Sequence, residues 1–193
     1  VLAKQNNEKI KTGLYAVNLG IAANQRNNIE IAAAYLAEAG SILKNEPTLS
    51  VLVEIALAEN WYKRGELQKA KLLAIKILPE LESISYSEER ISLLMLLSNI
   101  AKDEEDTTNA IAYAKAALNA ALNLEKRIDI FQQLAGIYLK NGSYNEVLKA
   151  KDSVIALKDS LYKLKNGRLF ETNRVKFEIA NYRRELQQSK ESQ

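Results

Sequence analysis

A small residue recurs at long and nearly equal intervals along the chain, each time in a similar apolar setting. Around Ala135, the residues Phe131, Leu134 and Tyr138 give the spacing aromatic-x2-Leu-small-x2-aromatic. The spacing recurs at intervals of 38, 40 and 37 residues, with the small residues Gly20, Ala58, Ser98 and Ala135. Twelve residues after each of them comes another apolar or small residue, namely Ala32, Ala70, Ala110 and Val147. The pattern therefore predicts four copies of one structural unit.

The predicted unit is a pair of antiparallel helices, in which the second helix crosses the first at its small residue. We call Gly20, Ala58, Ser98 and Ala135 the crossing residues. Residues that favour turns separate the two helices of each pair, at Asn27-Asn28, Gly65, Asp103–Asp106 and Asn141-Gly142. A single pair cannot bury both of its apolar faces, so neighbouring pairs must stack. The expected pairs are about 8–26 with 29–44, 48–63 with 67–79, 87–102 with 107–124, and 126–140 with 145–165.

Two local signals refine these boundaries. Pro79 lacks the backbone N–H that a continuing helix needs, so it should end or kink the second helix of its pair. Ser85 and Glu88 have the spacing of a capping box, in which each side chain binds a free backbone N–H at the start of a helix. We therefore expect the third pair to begin just after Ser85.

The repeat resembles the tetratricopeptide repeat, whose pattern Trp-x2-Leu-Gly-x2-Tyr…Ala-x3-Phe is matched best by 131–154 and 57–77. The resemblance covers about residues 8–165 and implies an all-α, right-handed α-solenoid of about four helix-turn-helix repeats. The repeats would span 8–44, 48–79, 87–124 and 126–165, followed by a C-terminal capping or linker helix at 166–193. The sequence departs from the family at Lys151, which takes an apolar place, and in its longer period.

The composition excludes most kinds of catalytic chemistry. The 193 residues include no His and no Cys, which removes imidazole acid–base catalysis, thiol nucleophiles and ordinary zinc sites. No Gly-rich phosphate loop is present, and the acidic run 103–106 lacks the alternating ligands of a calcium loop. The formal net charge of +3 is too small to indicate nucleic-acid binding. We therefore expect no enzyme activity, no catalytic residue, no metal and no cofactor.

A protein or peptide is the partner that such an array implies, bound on the concave face formed by the first helices. Residues one and four positions beyond each crossing residue, with the lysines beside them, should point towards that face. The predicted peptide-binding residues are Asn24, Glu59, Tyr62, Lys63, Asn99, Lys102, Leu139 and Lys140. The alternative is an ordinary solvated face without a specific ligand. No apolar run approaches the roughly 20 residues of a membrane span.

The sequence after Lys165 has no second turn and no partner hairpin. Val175, Ile179, Tyr182 and Leu186 step by four, three and four residues, which is the spacing of a heptad seam. One interpretation is a capping helix that covers the last repeat, and the other is a helical stalk that pairs weakly with a second copy. We expect packing near 164–170, projection beyond it, and no DNA binding because glutamates interrupt the basic residues.

The segment 158–186 is similar to the end of the repeat region in sensor proteins of the Bacteroides group. In those proteins, repeats that finish in Lys-Asp-Ser-Leu, here 158–161, continue into a charged helix and then an output module. The resemblance implies the sensory or scaffolding part of a bacterial signal-transduction or transcription-regulatory protein, periplasmic or cytoplasmic. Because the chain begins at Val1, we expect a processed protein or a fragment of a longer one. The alternative is a freestanding adaptor in a multiprotein assembly.

Overall fold

The computed structural model describes residues 2–82 and 87–191, and the side chains of 7–82 and 87–181. Within these ranges the chain forms eight α-helices and one 3-10 segment, and no strand. The helices are α1 Leu2–Gln25, α2 Ile29–Leu43, α3 Pro47–Lys63, α4 Leu67–Ile77, α5 Ser87–Asp103, α6 Thr107–Ala120, α7 Leu124–Lys140 and α8 Tyr144–Glu191. The predicted all-α class is therefore confirmed for the described part of the chain.

Helices that follow one another in sequence also pack against one another. The closest packing joins α1 to α2, α3 to α4, α5 to α6 and α7 to α8. Further contacts join these pairs in chain order through α2 with α3, α4 with α5 and α6 with α7. First helices of neighbouring pairs also meet, because α3 contacts both α1 and α5. The four pairs thus lie in the order in which the sequence presents them.

The four predicted turns share one backbone conformation. Each contains one residue in the left-handed region, at Asn27, Gly65, Glu105 and Gly142, with φ of 60°, 78°, 64° and 73°. In every turn, the N–H of the next residue donates to the carbonyl five positions earlier, as from Ser143 to Tyr138 at 2.9 Å. The left-handed residue itself donates to the carbonyl three positions earlier, as from Gly142 to Leu139 at 3.1 Å. These two bonds define a Schellman motif, which satisfies carbonyls that the end of the helix leaves free.

The crossing residues are buried where the second helix of each pair passes over the first. Ala58 and Ser98 have no exposed surface, and the hydroxyl of Ser98 donates to the carbonyl of Ala110 over 2.7 Å. Gly20 lies so close to Leu36 that a Cβ added to the glycine would be 2.7 Å from its Cγ. The positions twelve, sixteen and nineteen beyond the crossing residues are buried as well, except at exposed Lys151. The repeated spacing thus marks the core, as the sequence predicted.

Prolines and capping side chains set several helix ends. Helix α4 ends at Ile77 and gives way to a 3-10 segment, Leu78–Leu81, that contains Pro79, as predicted. Asp106 and Asn123 accept hydrogen bonds from the backbone N–H groups three residues later and so cap α6 and α7. Of the predicted capping box, Ser85 lies outside the described residues.

Helix α8 does not stop where the repeat pattern stops. It runs for 48 residues from Tyr144 to Glu191. Its first half packs on α7, and Lys165 forms an ion pair of 3.1 Å with Glu125, next to the start of α7. Beyond Lys165, α8 extends past the N-terminal end of α7. Leu164 and Phe170 are 47% and 69% exposed, so the expected packing near 164–170 is wrong. Helix α7 begins at Leu124, beside Lys165, so α8 extends past the end of α7 within this segment.

The close contact at Gly20 gives a test of the crossing. Gly20→Ala should lower the free energy of unfolding by about 1–3 kcal/mol, because the new methyl group displaces Leu36. Gly136→Ala is the matched control, since no atom lies within 4 Å of the position of its Cβ. This second change should stabilise the chain by about 0.5–1 kcal/mol through the helix preference of alanine. Urea denaturation followed by circular dichroism measures both, and shifts of the same sign would contradict the packing described here.

Candidate functional site

A groove runs across the first helices of successive pairs, and we call it the inner groove. Its larger part has a volume of about 360 Å³ and is lined by α1, α3 and α5, with Lys126 of α7 at one end. A second part of about 260 Å³ continues between α3 and α5. Apolar side chains form much of the floor: Leu14, Val17, Ile21, Leu52 and Ile55. The groove therefore offers an elongated surface that is open to solvent and partly apolar.

Charged side chains surround the larger part of the inner groove. Three carboxylates, Glu59, Glu88 and Glu89, line it together with one cation, Lys126. Glu88 lies 3.9 Å from the ammonium group of Lys126, and Glu59 lies 3.4 Å from that of Lys63. The lining residues carry more negative than positive charge, so the larger part favours a ligand with basic groups.

Four of the predicted peptide-binding residues meet in the smaller part of the inner groove. Glu59, Tyr62 and Lys63 come from α3, and Asn99 comes from α5. Asn99 is half-buried and accepts a hydrogen bond of 3.0 Å from Gln133 of α7. The hydroxyl of Tyr62 donates to Asp103 over 2.7 Å. Burial and this hydrogen bond raise the pKa of Tyr62 above its ordinary value.

Asn24 does not lie on the accessible surface, which corrects its place among the predicted binding residues. It has no exposed area, and its amide nitrogen donates to the carbonyl of Ala56 over 3.0 Å. Its amide oxygen accepts a bond of 2.9 Å from Asn60, which also donates to the carbonyl of Ile29. Both polar groups of Asn24 are occupied within the protein. The side chain therefore joins the first and second pairs and is not available to a ligand.

Two of the predicted lysines bind the backbone of the preceding pair in the same way. The ammonium group of Lys63 donates to the carbonyl of Asn24, and that of Lys140 donates to the carbonyl of Lys102 over 3.1 Å. Each lysine lies five residues after its crossing residue, and each acceptor lies four residues after the previous one. The sequence predicted that these lysines bind a ligand, whereas in the structure each of them binds the backbone of the neighbouring pair. Lys102 itself is half-buried, with its ammonium group 4.0 Å from Asp103.

Leu139 lies apart from the inner groove. It lines a separate apolar cavity of about 440 Å³ between α7 and α8, which we call the end cavity. The predicted residues are therefore divided among a groove, a set of contacts between pairs, and the last pair of the array. Only Glu59, Tyr62, Lys63 and Asn99 line one continuous surface.

The acidic turn 103–106 has partners within the protein for all four carboxylates. Asp103 accepts from Tyr62, and Glu104 pairs with Lys71 at 2.6 Å, while Glu105 lies 3.9 Å from Lys140. The side chain and backbone N–H of Asn109 bind Asp106 and lower the pKa of that carboxyl group. Within the described residues, no three Asp or Glu side chains group closely enough to hold a metal ion. The turn fastens the third pair to its neighbours.

The predicted face included one residue of the groove floor, Ile21, and the spacing also contains the signal for the others. Val17, Ile55 and Met95 lie three residues before their crossing residues, and Leu14, Leu52 and Ser92 lie six residues before them. These positions are on the same helix face as the predicted residues, one and two turns earlier. Extending the predicted face towards the N-terminus of each first helix would have found them.

No protein-family model matches the chain, and no curated protein matches it either. Within the part of the chain that the structure describes, no helix is long and apolar enough to cross a membrane.

The buried position of Asn24 predicts a structural role that mutation can measure. Asn24→Ala leaves the amide of Asn60 and the carbonyl of Ala56 short of one partner, and should lower the free energy of unfolding by about 1–3 kcal/mol. Asn18→Ala, at an exposed position of the same helix, should change it by less than about 0.5 kcal/mol. Thermal and urea denaturation measure both variants. Equal stabilities of the two variants would refute the buried contact.

Proposed function

We propose that the chain is a protein-interaction module, and not an enzyme, built as a right-handed α-solenoid of tetratricopeptide-like repeats. Four helix pairs in sequence order, each with a turn of the same conformation between its two helices, support this architecture. Contacts between pairs also recur at equivalent positions, as Lys63 and Lys140 illustrate. Repetition of this kind is the property of a solenoid in which each unit contacts its neighbours.

The single observation that carries the proposal is the inner groove across α1, α3 and α5. A groove with an apolar floor and a charged rim suits an extended or helical segment of another protein. Leu52 and Ile55 would receive apolar side chains of the ligand, and Glu59, Glu88 and Glu89 would receive basic ones. The ligand that fits best is therefore a peptide in which apolar residues alternate with Lys or Arg.

The wider role that we propose is the sensory or scaffolding part of a bacterial signalling or transcription-regulatory protein. Its support is the similarity of 158–186 to the corresponding segment of such sensors, together with the unbroken course of α8 beyond the last pair. A rigid helix that leaves the array would transmit the position of the last pair to whatever follows it. A freestanding adaptor would share the inner groove but would have no downstream output module.

Ser92 offers a way to block the inner groove with little cost to the fold. It is exposed, lines both parts of the groove, and uses its hydroxyl only for the carbonyl of Glu88 in its own helix. Ser92→Trp should therefore fill the groove. Ser41→Trp is the matched control, because Ser41 is an exposed serine of α2 with the same kind of bond, to Glu38, and does not line the groove.

A random peptide library selected on the immobilised chain provides the probe. We expect enriched peptides to contain Lys or Arg among apolar residues, and to bind the wild type and Ser41→Trp equally. Ser92→Trp should weaken binding by tenfold or more, about 1.4 kcal/mol, and added salt should weaken binding to the wild type. Peptides that bind Ser92→Trp as well as the wild type would place the site elsewhere, and failure to enrich any peptide would count against the proposed function.

A further inference from the structure

Large apolar side chains form a regular stripe along the outer side of α8. Leu148, Ile155, Tyr162 and Leu169 are spaced by seven residues, and Phe170 and Phe177 continue the same side of the helix. All six are between 61% and 69% exposed. An interval of seven residues is the spacing at which one helix meets another along its length. We call these six residues the outer stripe, and it is distinct from the predicted seam that begins at Val175 and Ile179.

The end cavity lies beside the first half of this stripe. Gly136 and Leu139 of α7 line it together with Val147, Val154 and Ile155 of α8. The corresponding positions of the third pair, twelve and nineteen residues after Ser98, are Ala110 and Ala117. Both are fully buried in one cluster with Ile130, Leu134 and Ile137 of α7. The end cavity therefore occupies the place where a further helix would pack if the array continued.

In the third and fourth pairs, α7 follows α6 after a short turn and packs antiparallel to it. A helix in the end cavity would pack against α8 in the same antiparallel direction. It would also need to present large apolar side chains to Val147 and Val154. The second half of α8 has such residues in Phe170 and Phe177, which are 69% and 67% exposed. The same chain thus contains both an apolar cavity and the exposed aromatic side chains that would fill it.

We propose that two copies of the chain associate through antiparallel α8 helices, centred on Tyr162. With Tyr162 opposite Tyr162, residue 155 of one copy lies opposite residue 169 of the other, and residues 147 and 154 lie opposite 177 and 170. Phe170 and Phe177 of each copy therefore reach the end cavity of the other. The contact is two-fold symmetric, since each copy provides the same cavity and the same aromatic side chains.

Charge favours the antiparallel arrangement over the parallel one. The segment 163–177 contains five cations and one carboxylate, whereas 144–162 contains three of each. Parallel helices would place the two basic segments side by side, and like charges opposite each other repel. Antiparallel helices place each basic segment beside a balanced one.

The apolar area also suits a second copy. Three of the six side chains are aromatic and would bury about 150–250 Å² each if fully covered, and three are smaller aliphatic ones; at about two-thirds exposure the stripe offers on the order of 600 Å² per copy. A stable specific interface needs about 800 Å² per partner, which the lining of the end cavity supplies together with the stripe. The proposed contact uses α8 and the end cavity and leaves the inner groove free. The dimer can therefore be tested independently of peptide binding.

Sedimentation velocity across a concentration series tests the association. We expect the wild-type chain to pass from monomer to dimer as its concentration rises. Phe170→Glu with Phe177→Glu should raise the dissociation constant by tenfold or more, because two aromatic side chains of the outer stripe are lost. The matched control is Val175→Glu with Ile179→Glu, which introduces the same charge in the same segment, on another side of α8. It should leave the dissociation constant within about threefold of the wild type.

The sequence contains no cysteine, so introduced cysteines can test the relative direction of the two α8 helices in the dimer. Antiparallel helices centred on Tyr162 should give an efficient disulfide between Ile155→Cys in one copy and Leu169→Cys in the other when the two variants are mixed. Each variant alone should give little cross-linked dimer. Efficient cross-linking of Ile155→Cys with itself would overturn the antiparallel arrangement. A wild-type chain that stays monomeric at several hundred micromolar, or equal effects of the two double-glutamate variants, would overturn the dimer.

Discussion

The close approach of two helices at a small residue is the constraint on which the rest of the structure depends. Where Gly20 meets Leu36, even one methyl group would be 2.7 Å from the leucine side chain. At Ser98 the backbone of the second helix comes near enough for the hydroxyl to bind the carbonyl of Ala110. Such short separations require a small crossing residue, such as Gly20 or Ser98, because the distance between two helices depends on the size of the side chains at the contact. The two helices of each pair therefore lie close together, and each pair stacks on the next.

Stacking of these units requires polar as well as apolar contacts. Some backbone carbonyls of the first helices also accept a hydrogen bond from a long side chain of the next pair. Lys63 and Lys140 do so at equivalent positions, and Gln133 donates to the carbonyl of Met95 over 3.1 Å. A buried amide pair, Asn24 with Asn60, performs the same task between the first two pairs. An array held in this way fixes the spacing of its first helices, and the inner groove depends on that spacing.

Local patterns allowed the helices, the turns and the crossing residues to be predicted from the sequence. Apolar spacing, turn residues and the effect of Pro79 act within a few residues of one another, and the structure confirms them. The candidate site was harder to predict because its residues contact neighbours that are distant in sequence, 36 positions for Asn24 with Asn60 and 41 for Tyr62 with Asp103. Asn24 and Tyr62 hold equivalent places in the repeat, yet Asn60 covers the first and Asp103 binds the second. Spacing identifies which face a side chain occupies, but not which partner reaches it.

The single departure from the repeated core has a physical reason of its own. In the second and third pairs the position sixteen residues after the crossing residue is alanine, Ala74 or Ala114, with no exposed area because the array continues over it. In the fourth pair it is Lys151, which is exposed and lines the end cavity. A lysine can cover apolar surface with its methylene groups while its ammonium group stays in water. The fourth pair thus departs from the repeated core at Lys151, and its second helix, α8, continues to Glu191, whereas the earlier second helices end after 11 to 15 residues.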